Sequence, residues 1–323
     1  MISRIADHCF WFGRYVERAE ATARALSATM SLALDAELPS AQVWRPILVV
    51  AGEEDEFLTR VAEGADDHPA WGDGEIVQRF MVWDEANGAS LARSIGGARW
   101  NAGSIREVLS LEAWEAVNEL HLWSTSTEAH TMYAQQRDAF YHQVRRSTQL
   151  TLGLLRSTML HDEPLDFVWL GVLLERVSQT ARMLDVHYHA FVNLVHRNEI
   201  IETAVWLTLL RALSGSEAYM KRSAGRIASE AVAGFLISER AFPRSIAYCV
   251  HSAYDRLAVI RPPEEHALPG GVSLEQLRVL DTWVAARIKD PLVGESVHDL
   301  LTHVVDEVHA ICGTIGKELL GAG

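Results

Sequence analysis

Two arginines one helical turn apart, beside a glutamate, are the side chains in this sequence best suited to chemistry. Arg14, Glu17 and Arg18 form that group, and a Glu-Arg pair returns at Glu175 and Arg176. Like charges at the spacing of Arg14 and Arg18 repel, so an anion must stand near them if they face inward. An isolated buried charge costs on the order of several kcal/mol. Glu17 is within reach of Arg14 along one helix, and Glu17 and Glu175 can pair across the molecule with Arg176 and Arg18. Three arrangements satisfy these demands. A reciprocal Glu–Arg cluster would fix helix register. An anion site would turn surplus guanidinium charge toward the carboxylate or phosphate of a small-molecule or peptide ligand. A solvated face would need neither. If the arginines are buried and paired, Arg18→Ala or Arg176→Ala is expected to cost ~3–5 kcal/mol.

Other chemistry finds less support. His187 and His189 lie about 200° apart around a helix, and His298, His303 and His309 miss the one-turn spacing of helical zinc ligands, so no metal is expected. No serine sits in a sharp glycine-flanked elbow, which leaves a hydrolase triad without a nucleophile. Gly96-Gly97 and Gly270-Gly271 are isolated pairs rather than a phosphate-cradling loop, and no cofactor is expected. The stretch Asn118 to Trp123 reads as an amphipathic helix, with Trp123 and most of the ten tryptophans in the core.

The elements that carry these residues are helices. Alternating strand patterns are nearly absent, and helical spacing recurs throughout. Helices are expected near 2–35, 41–62, 75–83, 89–107, 111–126, 128–160, 164–191, 199–213, 216–237, 243–258, 273–289 and 295–319. Pro164 marks a helix opening, Ser273 with Gln276 has capping-box spacing, and 64–74 and 261–271 read as loops. In the first helix Ile2, Ile5, Cys9, Phe12, Val16, Ala19, Ala23, Leu26 and Met30 form one apolar seam, roughly 40 Å long. Trp11, Arg14, Arg18, Ala21, Ala25, Ala28 and Leu32 form a second, so this helix is expected to be covered on both sides.

At an offset of 158, Trp11, Gly13, Glu17, Arg18, Thr22, Ala23, Arg24 and Leu26 match Trp169, Gly171, Glu175, Arg176, Thr180, Ala181, Arg182 and Leu184, eight identities in sixteen positions. The two-seam pattern repeats there as well, on one side through Phe167, Leu170, Leu174, Val177, Ala181, Leu184 and Tyr188, on the other through Trp169, Val172, Arg176, Met183, Val186 and Ala190. The expected fold is all-α, an internally duplicated helical bundle over 1–260, with helices near 2–35 and 164–191 equivalent and packed about a pseudo-twofold axis. C-terminal helices over 261–323 are expected to pack on that bundle.

The chain has 323 residues, of which 49% are hydrophobic and 22% charged, enough for a large core and too apolar for disorder. Its net charge of −14 makes nucleic acid and anionic membrane poor partners. No run has the apolar length of a membrane span, and the N-terminus passes directly into a patterned helix without signal-peptide character. Cys9, Cys249 and Cys312 form no disulfide framework. A cytoplasmic protein is expected.

The stretch Ser3-Arg4-Ile5-Ala6-Asp7 through Trp11-Phe12-Gly13-Arg14-Tyr15-Val16-Glu17-Arg18-Ala19-Glu20 resembles the N-terminal signature of the alpha-E family. The likeness continues through Trp114 to Leu120, Thr158 to Leu160, Trp169 to Tyr188, Gly215 to Tyr219 and Phe242-Pro243-Arg244-Ser245, to about residue 260. Two positions depart from the family pattern: Val172 where the first repeat has arginine, and Ser178 where an acid is usual. If a site uses both halves, it is then lopsided. The resemblance implies association with circularly permuted ATP-grasp ligases, alongside transglutaminase-like and proteasome-like hydrolases, and hence peptide synthesis or modification by amide-bond formation. No ATP-binding element is present in this chain.

Three functions are therefore weighed: a non-catalytic accessory subunit of an ATP-grasp amide ligase, an acyl or aminoacyl transferase using the Glu–Arg cluster, and a structural helical scaffold that oligomerises through exposed apolar helix faces. The residues expected to bind are Arg14, Glu17, Arg18, Glu175 and Arg176, with Arg24, Arg182, Glu119 and Arg244 as secondary candidates.

Overall fold

The computed structural model describes residues 3–35, 39–61, 72–192, 199–223, 227–264, 268–287 and 295–321. Among them are fifteen α-helices and no strand. The first half holds α1 (Ser3–Asp35), α2 (Ser40–Ala51), α3 (Glu54–Val61), α4 (Gly74–Trp83), α5 (Leu91–Ser104), α6 (Leu111–Ser124), α7 (Thr127–Gln135) and α8 (Arg137–Thr158). The second holds α9 (Glu163–Val192), α10 (Glu199–Ala212), α11 (Ser216–Arg222), α12 (Ser229–Ser238), α13 (Ile246–Ile260), α14 (Gly271–Arg287) and α15 (Glu295–Ile315), closed by a π turn over Gly316–Leu320.

Three expected helices are each two. The one over 41–62 breaks at Gly52, whose φ of 76° is left-handed and whose N–H reaches back to close α2. The one over 128–160 breaks at Gln136, at φ −142° and ψ 61°, with neither glycine nor proline to announce it. The one over 216–237 divides into α11 and α12. Ser273 is not an N-cap: α14 begins at Gly271, and the Ser273 N–H and hydroxyl both donate to Glu318, at 2.9 and 2.7 Å. The cap thus comes from the far end of the chain. Ser245, rather than Pro243, opens α13 by accepting from the Tyr248 N–H. The expected loop at 64–74 lies largely outside the described residues, as do Ile2 and the side chains of Tyr188, His189 and Ala190.

Helix α1 is central. It packs on α9, α5, α8 and α10, and both of its seams are covered. Ala6, Cys9, Phe10, Phe12 and Val16 join a core shared with α9, α10, α12, α13, α14 and α15. Ala19, Ala23, Leu26 and Leu32 join a second core with α2, α4, α5, α7 and α8. Burying each larger side chain contributes about 1.5–3 kcal/mol, which holds a helix bearing several charges inside the protein. Glu17 and Arg18 stand where α1 passes from one core to the other.

The closest approach is between α1 and α9. A Cβ built on Gly13 would fall on the Val168 carbonyl, and one built on Gly171 would fall on the Phe10 carbonyl. Each glycine therefore admits the other helix's backbone, and the contact is reciprocal. Beyond this crossing the helices run in the same direction, Arg18 meeting Glu175 and Ala25 lining one recess with Met183.

Candidate functional site

One turn past the glycine crossing, each helix offers its glutamate to the other helix's arginine. Arg176 reaches Glu17 through Nε at 2.9 Å and Nη2 at 2.6 Å. Arg18 reaches Glu175 through Nε at 2.7 Å and Nη2 at 3.0 Å. Both are side-on, two-bond pairs of the kind that arginine's planar fork favours. The reciprocity extends outward. Arg18 Nη1 donates to the Gly88 carbonyl and Thr22 to the Ala89 carbonyl, in the loop before α5; Arg176 Nη1 donates to the Pro243 carbonyl and Thr180 to the Arg244 carbonyl, in the loop before α13.

Each glutamate has a second guanidinium, and here the halves differ. Glu175 takes Arg14 of α1, at 2.8 Å. The equivalent position on α9 is Val172, fully buried in the core. Glu17 is served instead by Arg244, whose Nη1 lies 2.6 Å away while its Nη2 reaches Glu20 at 2.8 Å. Glu20 also holds Arg24. The loop before α13 thus supplies the charge that Val172 lacks.

Four of the secondary candidates separate at this point. Arg244 and Arg24 belong to the Glu17–Glu20 network, and Arg182 lines the cleft described below. Glu119 is exposed on α6 and has no ion pair with the cluster. Sequence spacing missed Glu20, Glu53 and Gln179. Glu20 alone carried a local signal, its placement four residues before Arg24 on one helix face.

Both carboxylates titrate below their usual range. Burial alone would raise Glu175, but Arg18 and Arg14 outweigh it and hold the carboxyl at about 2. Burial likewise opposes Arg176 and Arg244 at Glu17, and the arginines again win, leaving it below the ordinary value. The stability that Glu175 contributes is therefore present above its ordinary value of 4.5 and is lost as pH falls toward about 2. Urea titrations at pH 6, 4 and 3 should show Glu175→Gln weaker than wild type at pH 6. The gap should close as the pH drops, whereas a constant gap would mean that the carboxylate's charge contributes nothing.

The two sides also differ in access. Glu17 is fully buried, and the side chains of its partners Arg176 and Arg244 are 10% and 11% exposed, the more closed of the two sides. On the Glu175 side, the side chains of Arg14 and Arg18 are 15% and 19% exposed. They open on a cleft of about 220 Å³ between α1, α9, α15 and the loop before α5. Ser178, Gln179 and Arg182 of α9 line it, and His309 and Cys312 of α15 face them. Glu53 closes one wall, its carboxyl raised by burial and by Glu56. Three guanidinium groups meet two carboxylates here, and Glu175 is already doubly engaged. A narrower apolar recess of about 40 Å³ adjoins the cleft through Ala51, Ala89 and Gln179, lined by Ala21 and Ala25 of α1 and Met183 of α9. His187 lies along it, its imidazole pushed down to about 4 by burial and therefore neutral at pH 7.

Nucleophiles are quiet. Burial pushes the Cys9 and Cys249 thiols up to about 12 and raises that of Cys312 as well. His298 bonds Asp185, and His303 lies tilted against the Trp283 ring. Among the described residues no three His, Cys, Asp or Glu side chains are grouped as a metal ion would need. No helix of the described residues is long and apolar enough to cross a membrane.

A family model described as a predicted alpha-helical domain with a conserved ER motif matches residues 1–320. The match takes in α14 and α15 together with the rest of the bundle. Uncharacterized proteins from Mycobacterium tuberculosis and Mycobacterium bovis are 24% identical over 257 residues, covering 76% of this chain and 28% of theirs. The chain thus aligns with little more than a quarter of those relatives. No solved structure matches it. With Glu-Arg pairs at 17–18 and 175–176 meeting at the helix crossing, and with the family model spanning almost every residue, the chain belongs to the Alpha-E family.

Proposed function

We propose that this protein is a non-catalytic binding subunit that holds the anionic end of an acyl or peptide ligand in the cleft beside Glu175, working with an ATP-grasp amide ligase in the cytosol. One observation carries the binding role: Arg14, Arg18 and Arg182 converge on an open cleft whose single fully buried carboxylate is already neutralised. A ligand carboxylate or acyl phosphate placed there gains charge-assisted hydrogen bonds. The adjoining apolar recess suits the aliphatic part of such a ligand. The ligase partnership rests on the resemblance of the Glu–Arg helices. It is consistent with relatives in which the matched region is a minor part of a longer polypeptide. Three unpaired, buried or half-buried thiols suit a reducing compartment.

Acid–base catalysis by the cluster itself is the weaker reading. Glu17 and Glu175 remain ionised at any physiological pH and have their oxygens committed to arginines, so neither exchanges a proton easily. Glu53, with its raised carboxyl, is the one acid of the cleft suited to that task. The reciprocal contacts of Gly13 with the Val168 carbonyl and of Gly171 with the Phe10 carbonyl, and of the two Glu–Arg pairs, support descent of α1 and α9 from a duplicated unit. In that view one half kept an open site and the other became more closed.

Arg182 has no ion-pair partner among the described residues, so it separates binding from folding. Arg182→Gln should leave the thermal midpoint within a degree or two of wild type. It should weaken binding of a short glutamate-containing peptide, read by calorimetry, at least tenfold, equivalent to about 1.4 kcal/mol. Ligase output with this subunit added should fall in parallel. Unchanged peptide affinity would reject the cleft as the binding site; unchanged ligase output in the complete absence of the protein would reject the partnership.

A further inference from the structure

A second cavity, of about 310 Å³, opens on a different face of α1 and shares no lining residue with the cleft. Three helices bring an arginine to it: Arg24 from α1, Arg145 from α8 and Arg211 from the end of α10. Arg24 is 4% exposed, and its Nε and Nη2 are both held by Glu20. Arg145 and Arg211 make no ion pair with any described residue, and the Arg145 Nε is shut off from solvent without an acceptor. The hydroxyl of Ser216 is likewise enclosed and unpartnered, and Ser214 lies beside it. Enclosed donors left without acceptors are destabilising, and a ligand that accepts from them removes that cost. Ser214 holds φ at 55°, a left-handed conformation uncommon for serine. The turn it makes lets the N–H groups of Leu213, Ser214 and Gly215 take up the last carbonyls of α10, so the helix end presents few bare acceptors to the cavity.

The local charge runs against the protein's net −14. Three guanidinium groups face one lining carboxylate, the exposed Glu217 at the rim. Glu20, behind Arg24, is already shared with Arg244. Asp138 accepts from Ser27 and stands exposed. We propose that this cavity is a binding site for a small phosphomonoester, its phosphate held by Arg24, Arg145 and Arg211 with the Ser214 and Ser216 hydroxyls. A phosphate carries about −1.5 to −2 charge at pH 7 and three terminal oxygens, which matches three arginines from three directions better than a carboxylate does. The volume exceeds that of the bare anion and leaves space for a small organic body. Glu217 repels a second anionic group, so the ligand carries a single phosphate. Burial and the nearness of Arg244 and Arg145 lower the Arg24 guanidinium from its ordinary value, against Glu20, and an added dianion relieves that repulsion.

Calorimetric titration of the full chain at low ionic strength tests this, using inorganic phosphate, glycerol 3-phosphate and acetate. Glycerol 3-phosphate should bind more tightly than phosphate, and acetate at least tenfold more weakly than either. Arg145→Gln and Arg211→Gln should each weaken glycerol 3-phosphate binding at least tenfold, while Arg182→Gln in the other cleft leaves it unchanged. Arg211 is exposed, so its variant keeps the fold even if that of Arg145 does not. Absence of phosphate binding, equal affinity for acetate, or wild-type affinity in folded Arg211→Gln overturns the assignment.

Discussion

Gly171→Ala lowers the free energy of unfolding by about 2–4 kcal/mol. Helix propensity works the other way, since alanine is favoured over glycine in a helix interior by roughly 1 kcal/mol. At Gly171 the new methyl would meet the Phe10 carbonyl, a backbone group fixed within α1. Overpacking a tight contact costs about 1–3 kcal/mol and more where nothing can yield, so the clash outweighs the propensity. Gly13→Ala should behave alike against the Val168 carbonyl. Because both changes push the same two helices apart, the double variant should lose less than the sum of the two. Gly153→Ala on α8 is the control: nothing lies within contact of its built Cβ, and it should gain up to about 1 kcal/mol. Urea melts of the four variants decide the matter, and a neutral Gly171→Ala would mean that the helices do not touch there.

Arg176→Ala and Arg18→Ala, residues matched in sequence, should differ in consequence. Removing Arg176 leaves Glu17, fully buried, with only Arg244, and breaking a buried pair of this kind costs ~3–5 kcal/mol. Removing Arg18 leaves Glu175 with Arg14, in a cleft that solvent reaches, and the loss should be about 2 kcal/mol. Binding should show the opposite order: Arg18→Ala abolishes peptide affinity in the cleft, while folded Arg176→Ala retains it. Equal destabilisation by the two would contradict the distinction between a more closed side and an open side.

The crossing itself was legible because it is written in helical periodicity. Residues of α1 and α9 keep a fixed spacing, so the matched Gly13 and Gly171, Glu17 and Glu175, Arg18 and Arg176 necessarily occupy equivalent faces. What periodicity cannot reveal is which loops close over a helix. Arg244 stands 227 positions from Glu17, and only the packing of α13 on α9 brings it in. Glu53 follows a left-handed glycine, and Cys312 belongs to a helix near the chain's end; neither has any local mark of the cleft they share. The same limit explains Ser273. Its spacing to Gln276 fitted a cap, yet a distant carboxylate, Glu318, provides the acceptor. The break at Gln136 had no residue to signal it.

Because Glu17 finds its arginines, and Arg14 and Arg18 their carboxylate, only on α9 and beyond, the order of synthesis constrains how this chain can fold. At roughly 5–20 residues per second, the ribosome needs on the order of ten seconds or more to pass from Glu17 to Arg176. During that interval the first helix cannot settle in its native place, since Glu17 and the glycine notch have nothing to meet. Early apolar contacts can form with α5 and α8, but closure of a loop of more than 150 residues must precede the final arrangement. The nascent N-terminal half is thus the stretch most in need of chaperone protection.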